Sequence, residues 1–80
     1  MSDIDDLFTK VMEARANCQG IANMRQGLRM DGSLPTSGVR RMITPKKQNR
    51  LKWAAVEAAR QLLFADRAYN EAMKKRDDVG

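Results

Sequence analysis

Asp31-Gly32-Ser33-Leu34-Pro35-Thr36-Ser37-Gly38-Val39-Arg40-Arg41-Met42-Ile43-Thr44-Pro45 is the one stretch of this sequence that breaks a helical pattern. Its first eight residues are turn formers. Its last two, Thr44 and Pro45, read as the N-cap and first position of a new helix. Val39 to Ile43 between them is too short to assign and reads as either a short helical turn or an extended stretch. A break flanked on both sides by helix-patterned sequence makes the chain a hairpin of two long helices.

Upstream, Ser2 followed by Asp3, Asp5 and Asp6 is a helix start, with a capping hydroxyl and then carboxylates at the positive dipole end. A seven-residue pattern follows. Ile4, Val11, Cys18 and Arg25 form one row, and Leu7, Ala14, Ile21 and Leu28 form the other, as in a packed helix seam. The pattern predicts a helix over about 3–30, with Asp31-Gly32 as the stop signal. Ala16, Gly20, Asn23 and Gly27 make a bare stripe away from the seam. Such a stripe either admits another backbone closely or marks a break near Gly20 into two shorter helices.

Downstream, the second helix is predicted over about 45–76. It holds seven alanines between Ala54 and Ala72 and is otherwise rich in Leu, Glu, Lys and Arg, all strong helix formers. At about 100° per residue, Leu51, Ala55, Ala58, Leu62, Ala65, Tyr69, Ala72 and Met73 gather on one face, widened on a flank by Val56, Ala59 and Leu63. This face suits the seam of the first helix. The fold expected is all-α, a single domain over 1–80 with a connection at about 31–44. Two antiparallel helices leave much apolar area wet, so a dimeric four-helix bundle is the expected completion.

Charge is unevenly placed. Between Arg25 and Lys52 eight cations (Arg25, Arg29, Arg40, Arg41, Lys46, Lys47, Arg50 and Lys52) face one acid, Asp31, in a chain whose net charge is only +5. Concentrated charge points to an anionic partner. Lys46 and Lys47 stand in the first turn of a helix, where cations oppose the macrodipole at about 0.3–1 kcal/mol each. Phosphate suits that site through free helix-start N–H groups, Lys46, Lys47 and Arg50, with Arg40 and Arg41 reaching in from the connection. Thr44-Pro45-Lys46-Lys47 also has the form of a Ser/Thr-Pro-basic-basic element of DNA-binding tails, although capping accounts for Thr-Pro without it.

Trp53 and Phe64 lie eleven residues apart, about 200° from Leu51 and Leu62, and Lys46, Arg50, Arg60 and Arg67 share their side of the helix. Such a strip could stack on bases or grip an acidic protein surface. It could equally be the core of a second interface that buries a dimer partner. Glu57 and Glu71 interrupt it.

Chemistry is not expected. The sequence has no His and a single Cys, so no Ser–His or Cys–His pair can form. Cys18 reads as seam packing, Asp3, Asp5 and Asp6 as a helix start, and Gly32 and Gly38 lack the context of a phosphate loop. No cofactor and no metal are expected. One odd cysteine and the lack of an apolar run of about 18 residues suggest a cytoplasmic protein. The favoured function is a dimeric, non-enzymatic, nucleic-acid-binding regulatory protein anchored through Arg40, Arg41, Lys46, Lys47, Arg50 and Lys52. The alternative is a protein-binding inhibitor or adaptor, for example phage- or plasmid-encoded, that docks on an acidic surface of a host complex through Trp53, Arg60, Phe64 and Arg67. A purely structural bundle subunit and a membrane-surface helix rank behind these.

Overall fold

The computed structural model describes residues 3–79, with side chains through Asp77. Ser2, the capping hydroxyl expected at the first helix, lies outside the described residues. Two helices, α1 (Asp3–Arg25) and α2 (Pro45–Val79), pack against each other as a hairpin. No strand occurs among the described residues.

α1 begins with Asp3, Asp5 and Asp6 in its first turn and runs unbroken through Gly20. It ends five residues earlier than the apolar period suggests. Leu28 N donates to Asn23 O (3.0 Å) and Gly27 N donates to Met24 O (3.0 Å), with Gly27 at φ 79°. This is a Schellman ending, which satisfies the last carbonyls through one left-handed residue. Gly27, not Asp31-Gly32, is the stop. A helix passing Gly27 would also collide with the connection, because a Cβ there would overlap the Arg41 carbonyl oxygen and lie 2.9 Å from the Arg41 nitrogen.

The bare stripe therefore does admit a backbone, and the backbone is the chain's own. Gly20 lies under Met30, whose Cε would be 3.2 Å from a Cβ at that position. Asn23, 9% exposed, donates to Met30 O (2.9 Å) and accepts from Gln19 Nε2 (3.1 Å). Arg41 N donates to Gly27 O (2.9 Å), so the connection is held against the end of α1 there, and residues 40–43 form no helical turn. Within the connection, Gly32 N donates to Arg29 O and Arg29 N to Ser33 O. Asp31 Oδ1 accepts from both the amide (2.9 Å) and the hydroxyl (2.6 Å) of Ser33. Pro35 is buried.

Thr44 caps α2 as expected. Its Oγ1 accepts from Lys47 N (3.2 Å) and its carbonyl from Gln48 N (2.9 Å). α2 continues to Val79, about 52 Å at 1.5 Å per residue, which sets the 54 Å long axis of the molecule.

Between the helices Val11, Ile21, Leu51 and Ala58 are buried. Leu7, Ala14, Leu62, Ala65, Tyr69, Ala72 and Met73 are half-buried, and the Phe8 and Tyr69 rings meet at 5.8 Å. Cys18 is free and half-buried at this seam. Val56, Ala59 and Leu63, expected to widen the packed face, stay exposed, since one helix of width about 10 Å covers only a stripe of its neighbour. The radius of gyration is 16.6 Å, against about 12 Å for a compact chain of this length. The hairpin is one layer thick.

Candidate partner-binding surface at the basic end

Two tertiary contacts and one local cap bring the cations together. Gln48 Nε2 in the first turns of α2 donates to Arg25 O (3.2 Å) at the end of α1. Arg41 N holds Gly27 O. Thr44 closes the start of α2. Arg25, Arg40, Arg41, Lys46, Lys47 and Arg50 consequently share one end of the molecule, all exposed, with Lys52 exposed just beyond. Arg29, also exposed, lies along the connection, where its Nη2 donates to Thr36 Oγ1 (2.6 Å).

Thr44, Lys46, Lys47, Arg50 and the buried Leu51 line an open depression of about 460 Å³ at the start of α2. Its backbone offers less than the sequence suggests. Pro45 has no N–H, Thr44 Oγ1 takes that of Lys47, and Thr44 O takes that of Gln48. The Thr44 and Lys46 amides have no partner here among the described residues, so the helix end offers two N–H groups and any anion must be held mainly by the Lys and Arg side chains. Asp31, the single acid of the segment, is tied into its own turn. The Ser33 hydroxyl first, then the Ser33 amide and the charge of Arg29, hold its carboxyl below the usual carboxylate range.

Trp53 lies one turn beyond Arg50 and is 62% exposed, while Phe64 is 65% exposed. With Arg60 and Arg67, also exposed, they form a surface strip that leads away from the basic end. Phe64 overhangs an open groove of about 850 Å³ between the helices, where Leu7, Ala14 and Ala65 lie beside Lys10, Glu13 and Glu57. Among the described residues no group of His, Cys, Asp and Glu could hold a metal ion, and no helix is long and apolar enough to cross a membrane.

Sequence reasoning found the cations but not the clamp that collects them. Asn23, Gly27, Gln48 and the Arg41 backbone position the arginines through contacts within the chain, and the bare stripe on α1 was the signal for Asn23 and Gly27 alone. Comparison with known proteins finds no family, no curated protein and no solved structure that matches the chain.

Proposed function

We propose that this chain is a non-enzymatic binding protein that grips nucleic-acid phosphates with Arg40, Arg41, Lys46, Lys47, Arg50 and Lys52, and that it acts as a homodimer with a four-helix core. The observation that carries this is the convergence of the cations, unneutralised, at one end through the Gln48–Arg25 and Arg41–Gly27 contacts. Guanidinium and ammonium groups both bind phosphate oxygens, and Trp53 beside Arg50 offers a face on which an unpaired base can stack. Lys46 and Lys47 cost stability at a helix start, which a purely structural segment would avoid.

The test is an oligonucleotide titration against salt. Neutralising five duplex phosphates gives a log–log slope of about −4.5. Trp53 is the sole tryptophan, so stacking of a single-stranded oligonucleotide should quench the protein's indole fluorescence. No detectable binding to DNA or RNA at low salt would end this proposal.

A second function is favoured by the exposed pair Trp53 and Phe64 with Arg60 and Arg67. Large aromatics and arginines are the usual anchors of protein interfaces. The partner would then be an acidic protein surface, bound after nuclease treatment and lost on Trp53→Ala with Phe64→Ala.

A further inference from the structure

Four large apolar side chains lie exposed on one flank of the hairpin: Phe8 (49%), Met12 (47%), Val56 (39%) and Leu63 (50%). The groove with Leu7, Ala14 and Ala65 occupies the other flank. At about 100° per residue, Phe8 and Met12 project on the side of α1 away from that groove, and Val56 and Leu63 do so on α2. The Phe8–Tyr69 and Gln48–Arg25 contacts give an antiparallel register that sets Met12 level with Leu63.

The missing partner can be sized. A folded monomer of 9.1 kDa exposes about 4,900 Å², whereas this chain exposes 6420 Å². The excess of about 1,500 Å² is more than the roughly 800 Å² that one partner gives to a standard interface, and it falls in the range of obligate homodimers.

Charge then decides orientation. The basic end lies at one extreme of the hairpin, and Asp3, Asp5 and Asp6 begin α1 toward the other, where the last turns of α2 add Glu71 and Asp77 but also Lys74, Lys75 and Arg76, five acids against three cations. Two copies side by side in the same direction would set one basic end against another. A copy turned end for end, about a two-fold axis crossing the flank near Met12 and Leu63, brings each basic end alongside the partner's acidic helix start.

We infer that Phe8, Met12, Val56 and Leu63 form the homodimer interface, with a second copy of the chain seated end for end. The interface rests on the dimer of the proposed function and adds its face and direction. It leaves the two basic ends about one molecular length apart, 54 Å, the span of roughly 16 base pairs at 3.4 Å each. The dimer would thus present two separated phosphate-binding ends rather than one merged patch.

Two measurements on the full chain test this. In light scattering, Met12→Glu and Leu63→Glu should each weaken the dimer at least tenfold, while Asn17→Glu on the groove flank should leave it intact. In pulsed electron–electron spin resonance, a label at Ser37→Cys in a Cys18→Ala background should report a distance near the 54 Å length. Same-direction packing would hold the labels within about two molecular widths of 23 Å. The label measurement leaves the interface undisturbed, so it decides direction even where a charged variant fails to fold. A dimer broken by Asn17→Glu but not by Leu63→Glu overturns the face, and a short label distance overturns the direction. A chain that is monomeric at every concentration overturns the dimer itself. Oligonucleotide binding is read separately, so its loss would leave the interface standing.

Discussion

Gly27 is the residue on which the connection turns. Its φ of 79° is a left-handed conformation that costs an L-residue about 1–2 kcal/mol, and the Arg41 backbone fills the space of a Cβ. Gly27→Ala should therefore destabilise by more than about 2 kcal/mol in urea unfolding, beyond the conformational cost alone. Gly38 shares that φ, but nothing lies within 4 Å of a Cβ there, so Gly38→Ala should cost only the conformational part, about 1 kcal/mol. Equal losses at the two sites would show that the Arg41 approach contributes nothing. Asn23→Leu tests the same junction from its polar side. It strips the Met30 carbonyl of its donor and should cost about 1–3 kcal/mol. Asp31 supplies a pH dependence. Its pKa is lowered by Ser33 and Arg29, so its contribution is complete above the ordinary carboxyl value of 3.8 and disappears as pH falls through the lower folded value. In an NMR titration, Ser33→Ala should raise the Asp31 pKa toward that ordinary value.

Within the second helix, stability and the proposed phosphate binding pull on the same two side chains. Lys46 and Lys47 oppose the dipole at the start of α2, which has no acid in its first turn. Replacing both with Glu should raise thermal stability by about 0.3–1 kcal/mol per site while abolishing oligonucleotide binding. A double variant that lost both together would place the lysines in the structure rather than at a ligand. The cap is separable from this effect. Thr44→Ala removes the acceptor of the Lys47 amide and should cost about 1 kcal/mol, with all cations retained. The first helix shows how periodicity misleads at an end. Leu28 continues the apolar row, but its N–H closes the helix by bonding Asn23 O.

For the whole molecule, a core of Val11, Ile21, Leu51 and Ala58 among the described residues is small for a chain of this length, and small single-layer folds are marginal without disulfide, metal or partner. The hairpin should accordingly melt at a temperature that rises with protein concentration, because only the associated form is stabilised by mass action. Circular-dichroism melts over a hundredfold concentration range check this. A constant midpoint would mean that the hairpin is stable alone.

Local chemistry made the helices readable in advance. Asp3, Asp5 and Asp6 at one start, Thr44-Pro45 at the other, and the alanine-rich face of α2 act through dihedrals, caps and periodicity, which are properties of neighbouring residues. The uneven charge was readable for the same reason, since it needs only counting. Where the first helix ends was not, because Gly27 stops it in concert with Arg41, fourteen positions later in the sequence. Nor was the identity of the backbone lying on the stripe of Gly20, Asn23 and Gly27. Periodicity marked Val56 and Leu63 as packed, and only the width of the single opposing helix left them bare. Long-range approach decided those points: the sequence determined which residues could meet, and the tertiary structure determined which of them did.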